Sequence, residues 1–409
     1  MNIWLINHYA VPPKYYPLAR QTCFAKQLAR LGHSVLIFAA STVHNSNQNL
    51  ITDGSPWREE TVDGVRYVYI KCLDYQGNGL RRVYNICEFA WKLPGVCRHF
   101  PRPDAIVATS MPPTSCAAGV WLARKYRCRG IAEIADLWPE GLVAYGIAGP
   151  RNPAVLALRQ LEKWIYKKAD AVVFTMEGAY DYITERGWEK DVPRSKVFYI
   201  NNGVDLEQFC LNRERFQAED PDLDDPEHFK IVYTGSVRRV NDLGALLDAA
   251  KRISDPSVRF LVYGGGDELE LLRRRAADEG IRNVVFKGFV EKTYIPSIVS
   301  RADAVLVHSG TQGVPLFRFG LSFNKLFDSL AAGRPVIMDV AAKYNPLERW
   351  GAGVCVESAE RLPEAVRQIR SLDGEARARM CENALQAARE YDFKRLTAKL
   401  LEVIEQSGT

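Results

Sequence analysis

Between Val314 and Val336 the chain reads VPLFRFGLSFNKLFDSLAAGRPV, which places Lys325 and Asp328 on one face of a short helix opened by Gly320, Ser322 and Asn324. A Gly/Ser loop running into a helix leaves backbone N–H groups unpaired at the positive end of the helix dipole, a setting that suits a diphosphate. An ammonium in the first turn can hold phosphate, and a carboxylate one turn further on can accept from a pair of sugar hydroxyls. The plainer alternative is a solvated helix face on which Lys325 and Asp328 pair with each other at i, i+3.

A second cluster supports the phosphate reading. The strand at Ile231–Tyr233 runs into TGSVRRVNDLGALLDA, so Gly235 and Ser236 turn the chain and Arg238 or Arg239 offers a planar fork to phosphate oxygens. The next strand ends in YGGGDELELL, where Gly265 and Gly266 permit close backbone approach or serve only the turn. In the first half, HYAVPPKYYPLAR follows the opening strand and presents Tyr15, Tyr16 and Arg20, with Arg20 either holding an acceptor phosphate or decorating the next helix. EIADLWPEG places Asp136 at a strand end, where it positions a substrate hydroxyl or caps the turn before Pro139. Asp222 and Asp224 spell the Asp-x-Asp of a metal site, but they lie in the connector AEDPDLDDPEH, which does not end a strand and reads as a solvated acidic loop.

Positioning these groups requires a scaffold of strands and helices. Short β-branched runs alternate with helical patterns at Ile3–Asn7, Val35–Ala40, Val65–Ile70, Ala105–Thr109, Ile131–Ile134, Ala171–Thr175 and Val197–Ile200. After the acidic connector the rhythm restarts at Ile231–Tyr233, Arg259–Tyr263, Val284–Lys287, Ala304–His308, Pro335–Asp339 and Val354–Val356. Strands alternating with helices give parallel sheets covered on both faces, so the expected fold class is α/β with two doubly wound domains. With 409 residues, two domains is the natural division. The boundaries expected are 1–197, 198–388 and a terminal helical segment 389–409.

Composition narrows the class. An apolar content of 47% with 25% charged residues excludes extended disorder. The net charge of +5, from 54 basic and 49 acidic residues, favours anionic ligands or surfaces without pointing to nucleic acid. Nine scattered cysteines with no C-x-x-C pair imply reduced thiols in the cytoplasm, and neither zinc nor a disulfide framework. MNIWLINHYA reads as a buried strand rather than a signal peptide, and no run approaches the roughly 18 apolar residues of a spanning helix. LRRVYNICEFAWKLPGVCRHFPRP sets Arg81, Arg82, Lys92, Arg98 and Arg102 against the single acid Glu88, with Leu80, Val83, Cys87, Ala90 and Trp91 at helical spacing. Such a helix either packs that stripe into the core or lies on the anionic inner face of a membrane.

The segment NKLFDSLAAGRPV resembles the nucleotide-sugar signature of the GT-B glycosyltransferases of family 4, most of all the bacterial WbuB-like subgroup, whose DLWPE wording recurs at Asp136 and whose NNGVD phrase recurs at Asn201–Asp205. The resemblance implies two Rossmann-like domains facing a cleft and a C-terminal helix crossing back to pack on the first. It implies a retaining enzyme of the hexosyltransferase type that moves sugar from a nucleotide diphosphate, with a UDP-sugar expected, to a saccharide or lipid-linked acceptor in cell-surface polysaccharide synthesis. Donor contacts then fall to Gly235, Ser236, Arg238, Arg239, Gly265, Gly288, Phe289, Ser322, Asn324, Lys325 and Asp328, and acceptor contacts to Tyr15, Tyr16 and Arg20. Asp136, Lys325 and Arg238 are the expected catalytic groups. The FKGFV turn containing Gly288 and Phe289 is similar to the family's base-binding turn. Five positions depart from the family pattern. Gly320 stands for the first of its two spaced glutamates, Asp328 for the second, Ala135 for a histidine, and Ser236 with Asn241 for an arginine and a lysine. No cofactor and no metal is expected, because cations and helix dipoles take over the metal's electrostatic work. Two other readings remain open: a catalytically silent nucleotide-sugar-binding subunit, which Gly320 and Ala135 favour, and a sugar-nucleotide epimerase.

Overall fold

The computed structural model describes residues 1–15, 20–44, 46–310 and 314–406, and Tyr16 therefore lies outside the described residues. The chain forms two compact units, Met1–Asn201 with Phe393–Thr409, and Asn202–Asp392. The divisions at 201/202 and 392/393 fall a few residues beyond the expected 197/198 and 388/389.

In the first unit the elements run β1 (Asn2–Ile6), α1 (Arg20–Arg30), β2 (Ser34–Ala40), β3 (Trp57–Val62), β4 (Val65–Ile70), α2 (Leu80–Cys97), β5 (Ala105–Ser110), α3 (Pro113–Tyr126), β6 (Arg129–Ile134), α4 (Glu140–Ala144), α5 (Pro153–Lys168), β7 (Ala171–Phe174), α6 (Ala179–Glu185) and β8 (Val197–Tyr199). The sheet order is β3-β4-β2-β1-β5-β6-β7-β8. Every pairing is parallel except that of β3 with β4. That antiparallel edge strand departs from the all-parallel expectation. WREETV is too polar to register as a buried strand, and Asp63 and Gly64, both with positive φ (49° and 78°), form the two-residue turn that folds it back onto β4.

The second unit runs α7 (Leu206–Arg215), α8 (Pro221–Asp224), β9 (Phe229–Thr234), α9 (Leu243–Lys251), β10 (Val258–Tyr263), α10 (Leu269–Asp278), β11 (Val284–Gly288), α11 (Ile295–Ser300), β12 (Ala304–Val307), α12 (Asn324–Ala331), β13 (Val336–Met338), α13 (Pro346–Trp350), β14 (Gly353–Cys355), α14 (Leu362–Arg370) and α15 (Gly374–Glu390). Its sheet, β11-β10-β9-β12-β13-β14, is wholly parallel. Strand period 2 sends Val232 of β9 into one apolar layer with Leu326 and Phe327, and Ile231 and Tyr233 into the other with Leu246 and Phe260. Both faces are covered, which is why the strands read as continuous apolar runs.

The final helix, α16 (Phe393–Glu405), belongs to the first unit. It packs on α1 through Phe393, whose ring meets Phe24 edge-on at 5.5 Å, and buries Leu396, Leu400, Val403 and Ile404 in the core that also holds Ile3, Leu5 and Leu28. The apolar spacing at Phe393, Leu396, Leu400 and Ile404 accounts for that face.

Candidate functional site

In the second unit the strand order reverses between β9 and β12, since the chain adds β10 and β11 on one side and β13 and β14 on the other. Ligands of open α/β sheets bind beyond the carboxyl ends of the strands at such a point. The loops after β9, β10, β11 and β12 and the start of α12 all lie on that edge.

Lys325 occupies the first turn of α12 and is half-buried. Its Nζ donates to the carbonyl of His308, which directly follows β12, and rides over the Tyr233 ring at 5.0 Å from the centroid. Desolvation pulls its ammonium down to about 8, and the Asp339 charge opposes the shift without cancelling it. Among the described residues no ion pair joins Lys325 to Asp328, so the solvated Lys–Asp pair is not what forms. Asp328, one turn on, is also half-buried, and burial pushes its carboxyl above the usual range against the pull of Lys292.

Beneath Lys325 lies a dyad that the sequence reading passed over. His308 is buried with Nδ1 2.5 Å from Asp339 Oδ2, while its Nε2 donates to the Asp242 carbonyl at 3.0 Å. A carbonyl only accepts, so Nε2 is the ring nitrogen that carries a hydrogen, and Nδ1 faces the Asp339 carboxyl group. The available signal was that VLVH and VIMD each end an apolar run on a titratable residue. Parallel pairing of Val307 with Met338 then sets the next two residues side by side.

The loop after β9 is held without charge. Asn241 Nδ2 donates to Ser236 Oγ at 2.7 Å and to its carbonyl at 2.8 Å, so the two residues that replace the family's arginine and lysine brace one another. Arg238 and Arg239 are exposed, and their guanidinium groups make no hydrogen bond or ion pair among the described residues. Gly264 and Gly266 let the β10 loop lie backbone-to-backbone against it. A Cβ on Gly264 would stand 1.7 Å from the Gly235 carbonyl oxygen, and one on Gly266 2.0 Å from that of Val237. Gly265 accepts from Val237 N at 2.9 Å, and Gly288 accepts from Gly264 N at 2.7 Å, so both have clear turn roles. Phe289, just past β11, is 78% exposed. Ser322 has a buried Oγ with no hydrogen-bond partner among the described residues, and its carbonyl accepts from Asn202 Nδ2 at 3.0 Å, while Asn324 is exposed at the start of α12.

In the first unit the structure corrects one expectation outright. Arg20 is buried, and its guanidinium is committed to Glu133 Oε1 at 3.0 Å and to the carbonyls of Asn201 and Ile200 at 2.6 and 2.9 Å, so it does not serve an acceptor. Glu133 Oε2 in turn accepts from Gln21 and Thr109, which completes a buried polar staple. Asp136 is exposed after β6 and makes no hydrogen bond among the described residues. It does not cap α4, whose N-cap is Pro139. Tyr15 is half-exposed beneath the Lys14 ammonium.

The acidic connector is likewise not a solvated loop. Asp220 accepts from Tyr263 at 2.6 Å and Lys287 at 2.5 Å, Asp222 from Lys287 at 2.6 Å and Arg259 at 2.7 Å, and Asp224 from Arg301 at 2.7 Å. These carboxylates pin α8 to the sheet through the paired cations.

Residues 21–203 match the family described as Glycosyl transferase 4-like domain, and residues 228–371 match Glycosyl transferases group 1. The chain is 25% identical over 356 residues to the putative colanic acid biosynthesis glycosyl transferase WcaI of Escherichia coli K12, covering 83% of this chain and 85% of that protein. Its fold is similar to that of sucrose-phosphate synthase from Thermosynechococcus elongatus (TM-score 0.71, 18% identity, 98% of each chain). It is also similar to Anabaena HepE in complex with UDP-glucose (TM-score 0.64, 14% identity, 99% of each chain). With two complementary family models spanning most of its length, the chain belongs to the group 1, family 4-like glycosyltransferases of GT-B fold.

Proposed function

We propose that this glycosyltransferase moves a hexose with retention from a UDP-sugar to a hydroxyl of a saccharide or lipid-linked acceptor in the building of a cell-surface polysaccharide. The observation that carries the reading is Lys325, a partly desolvated ammonium at the first turn of α12 on the strand-reversal edge, with the exposed guanidinium groups of Arg238 and Arg239 on the loop after the adjacent strand β9. HepE was crystallised with UDP-glucose and WcaI is named for colanic acid synthesis, which supports the donor and pathway class by analogy.

In this scheme the diphosphate lies against the N-terminal turn of α12 and meets the Lys325 ammonium and the Arg238 and Arg239 guanidiniums, which neutralise charge as the sugar–phosphate bond breaks. No metal or other cofactor is required for that work. Ser322, Asn324 and the backbone of Gly235 and Ser236 complete the phosphate contacts, Asp328 accepts from the ribose hydroxyls, and the Gly265, Gly288 and Phe289 turns address the base. Asp136 and Tyr15 orient the acceptor. Retention without a nucleophile follows from same-face attack assisted by the leaving phosphate, with Gly320 leaving the sugar to backbone contacts.

A thermal-shift screen over UDP-, GDP- and ADP-sugars tests the donor. UDP-sugars should raise Tm, and Lys325→Ala should lose a charge-assisted contact of about 1.5–3 kcal/mol, roughly ten- to a hundredfold in affinity. No response to any nucleotide, or an equal response from the variant, sinks the reading. Acceptor-dependent release of UDP separates transfer from silent binding.

A further inference from the structure

Helix α2 turns its apolar stripe outward. Asn85, Phe89, Leu93, Val96 and Cys97 face the core, whereas Leu80 is 88% and Trp91 80% exposed, with Val83, Tyr84 and Cys87 exposed on the same side. The inward position of a polar residue explains the rotation. Asn85 accepts from His8 Nε2 at 2.7 Å and donates to Thr42 Oγ1 at 3.1 Å and the Leu73 carbonyl at 2.7 Å. It thereby ties α2 to the loops after β1, β2 and β4 and fixes which face looks out. Core packing of the Leu80–Trp91 stripe, one of the two sequence expectations, is therefore wrong.

The helices packed beside α2 also carry exposed apolar side chains. Helix α3 packs against both α2 and α5 and adds exposed Trp121, and α5 adds Leu156. Basic groups edge this layer. Arg98 closes α2, Arg124, Lys125 and Arg127 close α3, and the Arg102 guanidinium bonds the Tyr126 carbonyl and so holds the two helix ends together. All five are exposed, and none forms an ion pair among the described residues, although Lys125 lies 5.0 Å over the Trp121 ring.

We propose that the α2–α3–α5 face is a docking surface for an anionic phospholipid bilayer, with α2 lying in the headgroup plane. The charge pattern selects this occupant. A second copy meeting the same face would bring two unpaired basic clusters together, and a nucleic acid would have no use for a Leu, Tyr and Trp stripe. A bilayer of anionic lipid accepts both parts, because tryptophan and tyrosine settle at the water–hydrocarbon boundary while arginines meet headgroups. No helix among the described residues is long and apolar enough to cross a membrane, so the contact is lateral. The proposal does not depend on the donor chemistry.

The test is co-sedimentation of the full chain with phosphatidylcholine vesicles with and without about 30% phosphatidylglycerol. Binding is expected only with the anionic lipid, accompanied by a blue shift of tryptophan emission, and should weaken at least about tenfold between about 50 and 500 mM salt. Arg98→Glu with Arg124→Glu should cost about fivefold or more per residue. Leu80→Ser with Trp91→Ala should weaken vesicle binding and diminish the blue shift while leaving the thermal unfolding temperature unchanged, since both side chains are exposed. Failure to bind anionic vesicles, variants that bind like the parent, or binding indifferent to lipid charge and salt overturns the proposal. Concentration-dependent dimerisation lost in the Leu80→Ser, Trp91→Ala variant, without vesicle binding, overturns it in favour of a second copy.

Discussion

Lys325 shows how one side chain acquires chemistry from its surroundings. Spacing placed an ammonium at a helix start, but burial is what desolvates the group and brings it down to about 8, while the Tyr233 ring and the His308 carbonyl hold it in place. The consequence for binding has a definite sign. Below about 8 the empty site carries the positive charge that pairs with a diphosphate; above it a proton must first be taken up. UDP affinity should therefore fall as pH rises from about 8 toward 10, by up to about tenfold per unit for one linked proton. Calorimetric titration of the parent and of Lys325→Met across that range checks this. An identical slope in both proteins refutes the assignment.

At the scale of elements, α5 and α6 are joined by a buried carboxyl. Glu162 accepts from Tyr166 at 2.7 Å and from Tyr182 at 2.9 Å, and burial raises it from 4.5 to about 8. A carboxyl raised in the folded state keeps a proton that the unfolded chain releases. Its contribution is thus fully present below 4.5 and is lost as pH climbs through the window to about 8. Glu162→Gln keeps the hydrogen bonds without the titration. The variant should match the parent near pH 5 and exceed it in thermal stability near pH 8, with the difference growing by at most about 1.4 kcal/mol per unit. Parallel pH–stability curves for the two proteins would contradict the expectation. Helix α2 teaches a related lesson, since a period of 3.6 defined its stripe but a buried asparagine decided its direction.

Across the whole molecule the C-terminal helix makes the first unit discontinuous in sequence, because α16 completes the core begun by β1 and α1. Leu400 is fully buried there, and Leu400→Ala should cost about 2–5 kcal/mol. The loss should fall on the first unit, so differential scanning calorimetry should show one transition lowered while UDP-induced stabilisation of the second unit persists at temperatures where both remain folded. An equal shift of every transition would argue against the division.

The sequence alone determined the alternation of strands and helices and the two-domain α/β class of the fold, because apolar period and Gly/Ser punctuation are local properties of the chain. It did not determine what those residues face. The His308–Asp339 dyad arises from parallel register between strands separated by the α12 segment, the Arg20 staple from three segments far apart in the chain, and the counter-charges of Asp220, Asp222 and Asp224 from strands and a helix that follow them. Partners of buried charge are chosen by packing across sequence distance, where polar groups must find one another or forfeit burial, and only the tertiary structure fixes that choice.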